Sequence, residues 1–154
     1  MAISYKEIRN ERQWRASTGL TEDQFFQLAE LFGNAYTEIF DESLDSRQEG
    51  SSSESTFKTY EDLLFFGLYS IKSGLTYDLL GLNFGLSSSN AYKNQSLVIR
   101  VLETTLDHAG HMPQRAFQSE EAFKEYLANE PTILVDVTEP VSYTHLTLPT
   151  SVIV

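Results

Sequence analysis

The chain has 154 residues, of which 41% are hydrophobic and 21% are charged. A chain of this size and composition can bury a hydrophobic core, so a coiled coil, a collagen and a wholly disordered protein are excluded. It contains no cysteine, which rules out disulfides and zinc sites built on thiolates. No stretch approaches the roughly 20 apolar residues that a membrane helix needs, so we expect a cytoplasmic protein with no membrane partner.

The formal net charge is −11, because 22 Asp and Glu residues outnumber 11 Lys and Arg residues. Such an excess of negative charge argues against a protein that coats nucleic acid without regard to sequence. The charge is unevenly distributed, since residues 22–62 carry −9 whereas residues 63–118 carry +1. Apart from residues 1–21, which carry +2, residues 63–118 are therefore the part of the chain that DNA repels least.

The first strong helix signal begins at Thr21, which forms a capping-box pattern with Gln24. Apolar residues then recur at spacings of three and four to about Phe40, which predicts a helix with one buried face. Residues 41–56 are acidic, rich in serine and nearly free of apolar residues. We expect this segment to be a mobile loop, because it buries too little to offset its ordering entropy. Upstream, Trp14 with Arg12 and Arg15 could meet a DNA backbone, but the favoured interpretation is that Trp14 is a partly buried anchor for the N-terminal arm.

Further caps and breakers divide the rest of the chain. Thr59 can begin a helix that Gly74 ends, and this helix is apolar on most of its circumference. The remaining predicted elements are a short helix Tyr77–Phe84 after the cap Thr76, a longer helix from the serines at 87–89 to Gly110, a last helix from Ser119 to about Ala128, and a strand Thr132–Asp136.

The segment from Thr76 to Leu106 has the outline of a helix-turn-helix. Such a unit needs a small residue where its helices touch and a glycine with positive φ in its turn, and Gly81 and Gly85 occupy these positions. Near its N-terminus the second helix offers hydroxyls and amides that can meet phosphates and adenine edges. The candidate DNA-binding residues are Ser88, Ser89, Asn90, Lys93 and Asn94. The same pattern also fits an ordinary helical hairpin.

Asp136 directly follows the predicted strand. A carboxylate at the end of a buried strand is where metal-dependent phosphoryl-transfer folds hold a magnesium ligand. Strands also end in Asp simply because a loop follows, so the position alone leaves both interpretations open.

Taken in order, these features resemble the N-terminal half of bacterial insertion-sequence transposases of the DDE superfamily. The resemblance spans about residues 17–139 and is carried by the helix TGLTEDQFFQLAELF, by the pattern from Leu63 to Lys93, and by Asp-x-Thr-Glu at Asp136, Thr138 and Glu139. It implies that the helix-turn-helix recognises the terminal inverted repeats of the element. It also implies that Asp136 is the catalytic residue that matches the first of three acidic ligands for Mg²⁺. The other two have no match here, so we expect no catalysis by this chain alone.

Residues 140–154 resemble a translated artificial DNA sequence. Written as the codons GTC TCT TAT ACA CAT CTG ACG CTG CCG ACG, the run Val141–Thr150 resembles a translation of the transposon-end adapter used to prepare sequencing libraries. Residues 140–154 are therefore predicted to be a non-native tail.

The predicted fold class is mainly α, a helical bundle that contains a helix-turn-helix and is followed by one strand of a truncated RNase H-like α/β domain. Residues 1–118 would form the DNA-binding domain and residues 119–139 the start of the catalytic domain. The resemblance implies a bacterial protein associated with the nucleoid, and a homo-oligomer is compatible with it. Two alternatives remain open: a free-standing helix-turn-helix regulator and an acidic helical module that binds other proteins.

Overall fold

The computed structural model describes residues 2–51, 56–114, 116–130 and 132. The prediction of a mainly helical protein is confirmed, since these residues contain α-helices and no strand. The helices are α1 (Glu11–Thr18), α2 (Glu22–Phe40), α3 (Leu44–Glu49), α4 (Tyr60–Ser73), α5 (Tyr77–Phe84), α6 (Ser88–His108) and α7 (Glu120–Tyr126). The chain divides into two compact units between Pro113 and Gln114, with α1–α6 in the first unit and α7 in the second. None of the helices among the described residues has the length and apolar character that crossing a bilayer requires.

The predicted helix starts are confirmed by their caps. The Thr21 hydroxyl accepts from the Gln24 amide at 3.3 Å, and the Gln24 side chain accepts from the Thr21 amide at 3.0 Å, which completes the capping box. Thr59, Thr76 and Ser87 cap α4, α5 and α6, each through a hydroxyl that accepts from the amide three residues further on. Local chemistry at the N-termini therefore sets where α2, α4, α5 and α6 begin, because each cap satisfies an amide that the helix itself leaves free.

Replacing Thr21 by alanine is expected to lower the free energy of unfolding by about 1 kcal/mol, because the Gln24 amide loses its acceptor and the capping box opens. Denaturant unfolding followed by circular dichroism measures the change. Ser96→Ala is the matched control, since Ser96 is exposed in the interior of α6 and alanine favours the helix there. Equal stability of Thr21→Ala and the wild type would contradict the capping argument.

The core of the first unit lies between α2, α4 and α6. Its centre is aromatic: Phe84 of α5 meets the ring of Phe66 edge to face with centroids 5.0 Å apart. Gly67 lets α4 and α6 approach closely, because a methyl group at this position would overlap the side chain of Val98. The largest fully buried side chains include Phe25, Phe32, Tyr36, Phe65, Phe66, Phe84, Leu64, Leu80 and Val98. Burial of this much aromatic surface is the main stabilising contribution to the unit.

The predicted loop at residues 41–56 is wrong for Leu44–Glu49, which form α3. Ser43 caps this helix, and Leu44 is buried against the core. Arg47 lies over the ring of Phe40, with its guanidinium carbon 4.1 Å from the centroid, and donates to the Tyr36 hydroxyl at 3.2 Å. One apolar residue and one stacked guanidinium are thus enough to order a short helix in a polar segment.

The N-terminal arm is anchored as predicted. Trp14 is only 4% exposed and packs on Phe25 with ring centroids 4.9 Å apart. Tyr5, in a short 3-10 turn ahead of α1, also contacts Phe25, and burial together with the nearby carboxylates of Asp62 and Glu61 raises its pKa. The arm ends beside α5, because the amide of Ile3 donates to the carbonyl of Asn83 at 3.0 Å.

The predicted strand lies almost entirely outside the described residues, since only Thr132 of Thr132–Asp136 is among them. Asp136 and the predicted non-native tail at 140–154 also lie outside them.

Candidate nucleic-acid interface

The helices α5 and α6 are joined by a tight turn whose geometry depends on two glycines. Gly85 ends α5 with φ of 69°, a conformation that favours glycine. Gly81 faces the turn so closely that a methyl group there would overlap the carbonyl oxygen of Leu86. The amide of Leu86 donates to the carbonyl of Gly81 at 2.9 Å, which closes the turn. The roles predicted for Gly81 and Gly85 are therefore confirmed as features of this hairpin.

The hairpin is fixed to the rest of the unit by buried side chains on both of its helices. Leu80 and Phe84 are buried on the inner side of α5, and Ala91 and Val98 are buried on the inner side of α6. The opposite side of α6 is therefore directed to solvent in a defined orientation.

Four of the five predicted DNA-binding residues lie on the exposed surface of α6. Ser88, Ser89, Asn90 and Lys93 are exposed, and the preceding Ser87 caps the helix through the Asn90 amide at 3.2 Å. The first turn of α6 contains no acidic residue, whereas every other α-helix among the described residues has an Asp or Glu there. The first turn of α6 therefore places no carboxylate of its own at the positive end of the helix dipole.

Asn94 differs from these four residues in its exposure. It is half-buried, and its amide nitrogen donates to the carbonyl of Asn90 at 2.8 Å within α6. It also lines a cavity of 290 Å³ between α3 and α6, together with Asn90, Leu44 and Leu97. Asn90 and Asn94 therefore lie at the edge of the exposed face that borders α3.

Three further residues of the exposed face were not among the candidates. Ser96 and Arg100 continue the row begun by Ser89 and Lys93, at spacings of four, three and four, and all four are exposed. Tyr92 is 56% exposed beside this row. The signal in the sequence that marks them is the absence of any Asp or Glu between Asp78 and Glu103, which is the longest such interval in an otherwise acidic chain.

The cations of this face are available to an external anion. Within the part of the chain that the structure describes, neither Lys93 nor Arg100 forms an ion pair. The guanidinium carbon of Arg100 lies 5.7 Å from the ring centroid of Phe40, and the residue is exposed to solvent. The face thus combines hydroxyls, an amide and two positive charges, a set that suits phosphates and base edges.

The metal expected from the sequence resemblance has no support among the described residues. They contain no group of three His, Asp or Glu side chains placed to hold a metal ion. Asp136, the one predicted ligand and catalytic residue, lies outside them. No metal chemistry can therefore be derived from the geometry.

No protein-family model, curated protein or solved structure matches this chain. The hairpin of α5 and α6 and the motifs of the sequence are the features that bear on function.

Proposed function

We propose that α5 and α6 act as a helix-turn-helix that binds duplex DNA through the exposed face of α6. The observation that carries this proposal is a hairpin with a closely packed turn, free of carboxylates from residue 79 to residue 102, in a chain of net charge −11. The part of α6 from Ser88 to Leu102 has no carboxylate and carries Lys93 and Arg100, so it can approach a polyanion without repulsion from its own side chains; Glu103 and Asp107 follow only in the last turns.

The contacts follow from the positions of the side chains. The major groove of DNA is about 12 Å wide and admits one helix, so α6 can enter it with its exposed face toward the bases. Lys93 and Arg100 would pair with phosphates, and the hydroxyls of Ser88 and Ser89 would donate to phosphate oxygens near the positive end of the helix. Asn90 would read an adenine edge through its amide.

The carboxylates of α2 also favour binding of DNA through α6. The exposed side of α2 carries Glu22, Asp23, Glu30 and Glu38, which would repel DNA phosphates. Binding through a surface that includes α2 is therefore disfavoured relative to the face of α6; residues 1–21, at +2, are the other part of the chain with a positive net charge. This charge distribution lowers affinity for DNA in general and leaves specific contacts to supply the binding energy.

We further propose that the bound DNA is the terminal inverted repeat of an insertion sequence and that the chain provides the end-binding domain of a DDE-superfamily transposase. The motifs from Leu63 to Lys93 and at Asp136, Thr138 and Glu139 support this assignment. In the proposed enzyme, Asp136 would contribute one ligand to Mg²⁺, and the metal would activate the nucleophile for DNA strand cleavage and joining.

A titration of the full chain with duplexes taken from either flank of its gene tests the proposal. Fluorescence anisotropy is expected to show tighter binding to the flanking repeats than to scrambled duplexes of the same composition. Asn90→Ala is expected to weaken binding to the repeat about tenfold, because one adenine contact is lost. Asn34→Ala on the exposed side of α2 is the matched control and should bind like the wild type. Equal binding to repeats and scrambled duplexes at low salt would contradict the proposal.

A further inference from the structure

Two exposed tyrosines stand together at the junction of α5 and α6. Tyr92 is 56% exposed and Tyr77 is 37% exposed. Their rings meet edge to face at 84°, with centroids 5.4 Å apart. Large aromatic side chains this exposed leave apolar surface in contact with water, and clusters of such surface mark binding sites.

A chain of hydrogen bonds holds this pair in place. The Tyr77 hydroxyl donates to Gln95 Oε1 at 2.9 Å, and Gln95 Nε2 donates to the hydroxyl of Ser70 at 3.2 Å. Ser70 is 2% exposed and donates in turn to the carbonyl of Gly67 at 2.7 Å. These three hydrogen bonds therefore connect the exposed ring of Tyr77 to the buried side of α4. Because Tyr77 is held at its hydroxyl and packs on Tyr92, the exposed ring of Tyr92 has a restricted orientation.

We propose that Tyr92 is a specificity-determining residue whose ring packs against the C5 methyl group of a thymine in the major groove, and that Tyr77 and Gln95 are positioning residues that hold this ring. The inference rests on the proposed function, because it assigns a base to one position of the same DNA-binding face.

The choice of thymine follows from the chemistry of the surface. Tyr92 lies one turn after Ser88 on α6 and is adjacent to Lys93, so a duplex held by those residues would pass directly over the ring. Thymine is the base that presents a methyl group in the major groove, and an apolar side chain distinguishes it on that basis. A ring that is already held by its neighbours loses little conformational entropy when it makes this contact.

Replacement of single thymines by uracil tests the inference, because it removes only the methyl group. The probe is a duplex selected by the full wild-type chain from a random-sequence library. At one position, thymine-to-uracil replacement is expected to weaken wild-type binding about fourfold, the effect of exposing one methyl group. Tyr92→Ala is expected to bind the thymine duplex as weakly as the wild type binds the uracil duplex, and to be indifferent to the replacement. Tyr92→Phe should keep the full dependence on the methyl group, since the contact is made by the ring.

Two further variants separate positioning from general loss of structure. Tyr77→Phe removes only the hydroxyl that binds Gln95, and it is expected to reduce the uracil effect while the unfolding midpoint stays near that of the wild type. Leu82→Ala is the control for trimming an exposed apolar side chain, because Leu82 is 77% exposed on α5; it should retain the wild-type uracil effect. The inference is overturned if no thymine shows the effect, or if wild type and Tyr92→Ala respond equally. Failure to select any duplex would instead contradict the proposed function itself.

Discussion

Gly81→Ala is expected to lower the free energy of unfolding by about 1–3 kcal/mol and to abolish sequence-specific DNA binding. The added methyl group would overlap the carbonyl oxygen of Leu86, which belongs to the backbone and cannot rotate away as a side chain would. The helices α5 and α6 must then move apart, and the hydrogen bond between the Leu86 amide and the Gly81 carbonyl is lost or lengthened. Denaturant unfolding and anisotropy titration with the selected duplex measure the two effects.

Gly50→Ala is the matched control for this substitution. Gly50 has φ of −79°, and a methyl group there would come no closer than 3.9 Å to its neighbours. Alanine should therefore leave both stability and DNA binding near the wild-type values. If Gly81→Ala were as stable as the wild type, the turn would tolerate the extra methyl group. The conclusion that the turn requires glycine at position 81 would then be wrong.

Lys93→Glu is expected to weaken binding to the selected duplex by at least about tenfold at low salt and to leave the free energy of unfolding unchanged. Lys93 is exposed and has no ion-pair partner in the described part of the chain, so the fold does not depend on its charge. The substitution removes one phosphate contact and places a negative charge against the backbone of the duplex. The slope of log K against log salt concentration should decrease by about one unit.

The control for Lys93→Glu is Lys6→Glu, which makes the same change of net charge at an exposed position of the N-terminal arm. If DNA binds through α6, the arm variant should lose much less affinity than Lys93→Glu. An equal loss in both variants would mean that net charge, and no particular face, governs binding.

The helices that begin with a strong cap were predictable from the sequence. Thr21, Thr59, Thr76 and Ser87 act on amides only two or three residues away, so their effect is local. The helix α3 was not predictable from its Ser43 cap alone, because it has one apolar residue, Leu44, whose amide donates to the hydroxyl of Tyr60, 16 positions away. In the same way, α1 depends on Trp14 and its contact with Phe25 of α2.

Some features of the candidate site also depend on local sequence, and others depend on tertiary contacts. The polar residues at the start of α6 follow from its cap and from the local pattern of the sequence. The position of Asn94 and the exposure of Tyr92 depend instead on which side of α6 packs against the core. The connection from Tyr77 through Gln95 to Ser70 joins residues 18 and 25 positions apart, and only the tertiary fold brings them together.

The most direct test of DNA binding through α6 is to map the binding surface on the full chain. Amide chemical shifts are followed in NMR spectra while the selected duplex is added stepwise. If DNA binds through α6, the chemical-shift changes should concentrate on the turn between α5 and α6 and on Ser88, Ser89, Tyr92, Lys93 and Arg100. The amides on the exposed side of α2 should not change. Shifts concentrated on α2 or α3, or no shifts at a saturating concentration of the duplex, would contradict binding through α6.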